Sequence, residues 1–114
     1  MLHHQFIGNS KANNLIVFLH EGLGCIEMWK DYPEFIVEQL GCYGLVYDRS
    51  GYGKSPGNLT NRTDNYLHEA AEELKSFLTE LDLSTYNVSL YGHSDGGSIA
   101  LIYAAKHSNQ IKYL

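Results

Sequence analysis

The sequence predicts an α/β fold: a three-layer, mostly parallel sheet with helices on both faces. Three observations carry this reading. Leu15-Ile16-Val17-Phe18-Leu19, Gly44-Leu45-Val46-Tyr47 and Val88-Ser89-Leu90-Tyr91 are short apolar runs between turn residues. Near-continuous apolar runs of that length suit strands covered on both faces, as parallel strands are. Each run is followed by a segment of helical character, and alternating strands and helices build parallel sheets.

Residues 2–7 are expected to form a short strand ended by Gly8-Asn9-Ser10. The first buried strand follows at 15–19, then the loop His20-Glu21-Gly22-Leu23-Gly24-Cys25. Residues 29–40 read as a helix with Pro33 in its first turn and Gly41 at its end. The second buried strand spans 44–47. Residues 48–62, rich in Gly, Ser, Pro and Asn, read as loop. Over 64–81, Leu67, Ala70, Ala71, Leu74, Leu78 and Leu81 recur at helical spacing, with Glu69, Glu72, Glu73 and Lys75 on the other side. The third buried strand spans 88–91, and its helix runs from 94 to 107. Residues 111–114 resemble the opening of a further strand.

If the second buried strand lies on one side of the first and the third on the other, the order is second-first-third, and right-handed crossovers then put the first helix on one face and the later two on the other. Ligands of such sheets bind at the switch point, beyond the carboxyl ends of the strands. The loop at 20–25 and the turn at 92–97 both project from those ends.

Composition narrows the classes. A chain of 114 residues supports one small domain. The formal net charge of −5 offers no basic surface for nucleic acid or anionic lipid, and no run is apolar enough for a membrane span. Cys25 and Cys42 form neither a disulfide framework nor a zinc-ligand spacing. With no signal-peptide pattern at the start, a cytoplasmic setting is the expectation.

Gly92-His93-Ser94-Asp95-Gly96-Gly97 lies between a strand and a helix, the context of a nucleophile elbow. The turn holds Ser94 in a strained conformation, and Gly92 and Gly96 carry no Cβ to clash as the elements close. The serine oxygen then stands at the positive end of a helix.

Together with two further motifs, this elbow resembles the α/β-hydrolase superfamily. His20-Glu21-Gly22-Leu23-Gly24 is similar to its His-Gly-x-x-Gly oxyanion loop, with Trp29 following. Tyr47-Asp48-Arg49-Ser50-Gly51-Tyr52-Gly53-Lys54-Ser55 is similar to its Asp-x-Arg-Gly-x-Gly-x-Ser loop. The resemblance covers nearly the whole chain. Glu21 departs from the usual glycine, and Ser50 from the usual arginine, which stands one place early as Arg49. The superfamily's acid and histidine lie later than this chain reaches, as does its cap. The chain therefore reads, over residues 1–114, as the N-terminal portion of a single α/β-hydrolase domain.

What the resemblance implies is a cofactor-independent serine hydrolase acting on a small ester-like or other carbonyl substrate through Ser94. Esterase, lactonase, carbon–carbon hydrolase, lyase and haloperoxidase chemistry all stay open. The oxyanion donors carried over are the backbone N–H groups of Asp95 and Gly22, with Leu23 as the adjacent alternative. The Asp95 carboxylate itself reads as a first-turn helix charge.

A serine needs a positioned base. His93 points away from its neighbour, as alternate strand residues do. His107 lies thirteen residues along the helix, about 20 Å away. His68 with Glu72 reads as a solvated helix pair, and His3 and His4 lie near the terminus. His20 is near the elbow as a loop-shaping residue or substitute base. The second reading is a catalytically inert or partner-dependent chain, whose open sheet edge invites self-association.

Two rival signatures fail. Gly53-Lys54-Ser55 lacks the glycine five places earlier that a phosphate loop needs, and Asp48 stands there. The loop at 20–24 lacks the second histidine of a zinc-protease helix, so no metal is expected.

Overall fold

The computed structural model describes residues 1–21, 24–57, 65–107 and 111–112. The strands are β1 (His4–Gly8), β2 (Asn14–Leu19), β3 (Tyr43–Tyr47) and β4 (Asn87–Gly92). The helices are α1 (Tyr32–Leu40), α2 (Tyr66–Leu81) and α3 (Asp95–Lys106), with a short 3-10 turn at Ile26–Trp29. The sheet order is β1-β3-β2-β4. β2 runs parallel to both β3 and β4, and β1 closes one edge antiparallel to β3. The three buried strands thus stand in the order second-first-third, the arrangement with the second and third on opposite sides of the first.

Alternation along β2 assigns the two cores. Leu15, Val17 and Leu19 face α2 and α3, where they pack with Leu45, Tyr47, Leu74, Ile99 and Tyr103. Ile16 and Phe18 face α1 and meet Val37, Val46 and Cys42. Every residue from Leu15 to Leu19 is buried. Within a strand, an apolar run without polar interruption suits coverage on both sides. In α2 the expected stripe is buried at Ala71, Leu74 and Leu78, and Phe77 joins it.

Two boundaries differ from expectation. The helix read over 29–40 is split: the 3-10 turn ends at Trp29, Lys30 takes φ +56°, and α1 starts at Tyr32. Pro33 contributes to this, because it has no N–H to donate to Trp29 O and so cannot join the two helical segments through that bond. At the other end of the chain, Ile111 and Lys112 are not in a strand. The Lys112 N–H nevertheless donates to Val88 O at 2.7 Å, on β4. The remainder of that expected strand, residues 113–114, lies outside the described residues, as does the start of the helix read from 64.

Candidate active site

β2 and β4 end side by side, with Leu19 paired to Gly92. The His93 N–H donates to Leu19 O at 3.1 Å, so the chain leaving β4 is tied to the end of β2. The next residue, Ser94, takes φ 56° and ψ −118°, one of three non-glycine residues with positive φ among those described. α3 begins immediately at Asp95. A Cβ on Gly92 would collide with the backbone of Gly96, and one on Gly96 with the carbonyls of Leu19 and His20. Absent side chains at these two positions let α3 press onto both strands, and that closeness forces Ser94 into its strained turn. Ser94 is exposed at the apex.

Asp95 occupies the first helical position, where main-chain N–H groups have no acceptor within the helix. Its carboxylate Oδ2 accepts the Tyr66 hydroxyl at 3.1 Å, tying α3 to α2. The expected donors Gly22 and Leu23 lie outside the described residues. Their neighbours His20, Glu21 and Gly24 are described, and they set the loop beside the elbow.

His20 is 1% exposed. Its Nδ1 donates to Glu21 O at 2.8 Å, and its Nε2 accepts the Arg49 N–H at 3.0 Å. Acceptance at Nε2 requires the neutral tautomer with the proton on Nδ1. Burial, with the positive charge of Arg49 adding to it, pushes the imidazole below its ordinary range, against the opposing hydrogen bond to Glu21 O. Both ring nitrogens are therefore occupied in bracing the loop. The side chain of Glu21 faces the other way: Oε2 lies 3.6 Å from His93 Nδ1, across the gap between loop and elbow.

Sequence reasoning gave no individual role to Asp48 and Arg49, which are 2% and 3% exposed. Asp48 Oδ1 accepts the Ile26 N–H at 2.6 Å and Oδ2 the Lys54 N–H at 2.9 Å. One carboxylate thereby holds two loops together. Arg49 donates through Nη2 to Glu21 O at 2.9 Å and stacks over the Tyr52 ring, 4.6 Å from its centroid. Below them, Glu73 of α2 accepts the Ser50 N–H at 3.0 Å, and burial raises its carboxyl above the ordinary range. The signal for these roles was an adjacent Asp-Arg pair directly after a buried strand, a place where charge stays only if it is paired.

Among the described residues no group of three His, Cys, Asp or Glu side chains is placed to hold a metal ion. No described helix is long and apolar enough to cross a membrane. Cys25 and Cys42 are both free thiols.

A mixed, mostly parallel sheet with a strained strand–serine–helix turn at its switch point defines the α/β-hydrolase class. The chain belongs to the alpha/beta hydrolase fold family, whose sequence profile matches residues 14–114. It is 33% identical over 93 residues to the non-heme chloroperoxidase CPO-A1 of Kitasatospora aureofaciens, covering 81% of this chain and 31% of that protein. It is 30% identical over 112 residues to a proline iminopeptidase of Lactiplantibacillus plantarum, covering 95% of this chain and 37% of that one. Among solved structures, a marine microorganism esterase superposes with a TM-score of 0.77 at 25% identity, covering 97% of this chain and 39% of that chain. A lipase-esterase related protein from Clostridium acetobutylicum shares the fold with a TM-score of 0.82 at 24% identity, covering 98% and 44%. The chain spans about a third of the length of the curated relatives it matches.

Proposed function

We propose that Ser94 is the nucleophile of a serine hydrolase acting on an ester-like or other activated carbonyl. The observation that carries this reading is the Ser94 backbone, held at φ 56° between β4 and α3 where packing leaves no room for a side chain at Gly92 or Gly96. Strain kept by the surrounding structure marks functional positions. The Asp95 N–H, at the start of α3, and the Gly22 N–H, with Leu23 as its alternative, are the oxyanion donors. Such donors act where negative charge develops, and loss of one costs about 10²–10³ in rate. The relatives, an esterase and a proline iminopeptidase among them, support attack on a carbonyl and leave ester and amide substrates both open.

The base and the acid come from outside residues 1–114, which form the N-terminal portion of the hydrolase domain. His20 has both nitrogens engaged. His107, at the far end of α3, lies beside Glu72 instead. This favours a second reading for the isolated chain, that it holds a formed elbow but turns over no substrate alone. Two free thiols suit the reducing cytoplasm in which we place it.

Fluorophosphonate labelling of a chain extended through the rest of the hydrolase domain, beside Ser94→Ala, tests the nucleophile, because activation of the serine needs the base. Labelling that vanishes in the variant is expected; equal labelling of both proteins, or none of either, overturns the assignment. For residues 1–114 alone, absence of p-nitrophenyl acetate turnover above that of Ser94→Ala assigns the isolated chain to the second reading.

A further inference from the structure

We propose that Glu21 is a specificity-determining residue that selects carbonyl substrates carrying a positively charged nitrogen, an inference that rests on the serine-hydrolase reading above. Glu21 stands where the resembled motif has glycine, so its carboxylate is one that the motif does not call for. Its main chain is held at the carbonyl by His20 Nδ1 at 2.8 Å and Arg49 Nη2 at 2.9 Å. Its stem is seated over Gly24, where a Cβ would come within 3.1 Å of Glu21 Cγ. From that footing the carboxylate reaches across to the elbow, with Oε2 3.6 Å from His93 Nδ1. His93 directly precedes Ser94, and consecutive Cα atoms are about 3.8 Å apart, so the charge stands beside the nucleophile.

That charge has no fixed counterion. Among the described residues no lysine or arginine lies within ion-pair reach of the Glu21 carboxylate. His93 stands too far for a hydrogen bond and supplies a full positive charge only when protonated. The other charges nearby are committed: the Arg49 guanidinium to Tyr52 and the Glu21 carbonyl, the Asp95 carboxylate to the Tyr66 hydroxyl. In acyl transfer negative charge develops on the substrate oxygen, and a fixed carboxylate nearby opposes it. A substrate that brings its own cation to Glu21 replaces that opposition with attraction. The neighbouring surface suits an alkylated ammonium. The Trp29 ring lies 6.5 Å from the His93 ring and 6.1 Å from Tyr91, and its indole N–H has no hydrogen-bond partner. Tyr91 and Tyr32 share a hydroxyl bond of 2.8 Å, and both rings are exposed. Aromatic rings beside a carboxylate attract a cation together with its alkyl groups.

The test uses the chain extended through the rest of the hydrolase domain, beside Glu21→Gln. Two pairs of esters are compared, each pair differing only in a quaternary nitrogen against a quaternary carbon. One pair carries the difference on the acyl side, as p-nitrophenyl esters of γ-trimethylammonio-butyrate and of its tert-butyl isostere. The other carries it on the leaving group, as thioacetates of trimethylammonio-ethanethiol and of its tert-butyl isostere. Attraction at about 4 Å near a protein surface supports a preference of about tenfold in kcat/KM for the cationic member of at least one pair. Glu21→Gln brings that ratio to about one, whereas a merely structural loss would lower both members alike and leave the ratio in place. No preference in either pair, or a preference that Glu21→Gln retains, overturns the proposal. An extended chain that hydrolyses no ester beyond its Ser94→Ala variant instead overturns the serine-hydrolase reading. Titration of the Trp29 indole N–H resonance with butyltrimethylammonium then decides the cation site alone: a Kd about tenfold weaker in Glu21→Gln supports it, and an equal Kd, or no binding to either, refutes it.

Discussion

Gly96→Ala is the sharpest test of how the elbow is built. An added methyl would lie 2.7 Å from His20 O, where ordinary contact begins at 3.4 Å, and closer still to Leu19 O. Both atoms are main chain at the end of β2, so no side chain can swing aside. The shortfall of about 0.7 Å at His20 O must be met by withdrawing α3 from the sheet. That movement also pulls on the His93 N–H bond to Leu19 O. Overpacking costs about 1–3 kcal/mol and a weakened hydrogen bond about 1 kcal/mol more, so a loss of about 2–4 kcal/mol is expected. At roughly 4–8 °C per kcal/mol for a domain near this size, the midpoint falls by about 8–30 °C. Gly97→Ala supplies the control. Its methyl would first meet Gly92 O at 3.6 Å, an ordinary contact, and alanine in a helix gains about 0.5–1 kcal/mol over glycine. Neighbouring substitutions of identical chemistry should therefore differ by about 4 kcal/mol in urea unfolding followed by circular dichroism. A Gly96→Ala midpoint close to that of the unaltered chain, or equal losses at both positions, would refute the argument.

Three further outcomes are expected. Ser94→Gly releases the positive-φ strain and stabilises by about 1 kcal/mol, whereas Ser94→Ala keeps the strain and does not; equal urea midpoints for the two variants would remove strain from the account. Asp48→Asn turns one carboxylate oxygen into a donor facing the Ile26 or Lys54 N–H, and a loss of about 2–3 kcal/mol in urea unfolding is expected; a neutral result would show that the two loops are held otherwise. The third concerns pH. The folded His20 binds its proton less readily than the unfolded one, so below 6.5 the unfolded state gains protons first, and stability falls as pH drops from 6.5 toward the folded value. Glu73, raised in the fold, acts with the opposite sign, its ionisation costing stability as pH rises above 4.5. Thermal unfolding at pH 7.5 and 5.5 should show a smaller difference for His20→Gln than for the unaltered chain; an undiminished difference would exclude His20 as its source.

The sheet was legible because local pattern and tertiary role coincide. Leu15 to Leu19 read as a doubly covered strand, and those residues are buried against α1 on one side and α2 and α3 on the other. The Ser94 turn was legible for the same reason: glycines at fixed offsets around a serine have few backbone uses between a strand and a helix. The bracing beneath it was not. His20, Glu21, Asp48 and Arg49 were visible as motif residues, yet their bonds span separations of 22 to 29 residues, from Asp48 to Ile26 and from Arg49 to His20. Periodicity cannot assign partners across such distances.

The amino-acid sequence by itself determined the place of the three buried strands, of the helices between them and of the serine. These follow from apolar runs, helical spacing and glycine placement, all properties of short stretches of chain, whereas the order of the strands in the sheet was settled by the tertiary structure. Only the tertiary structure decided that β1 pairs antiparallel with β3, that Lys30 and Pro33 break the first helix, and that His20 is locked as a neutral brace. It also decided that Arg49 and His20 converge on a single carbonyl while the Glu21 carboxylate turns toward His93. Each of these depends on which distant groups the sheet brings within about 3 Å, where buried polar atoms must find partners or pay for their absence.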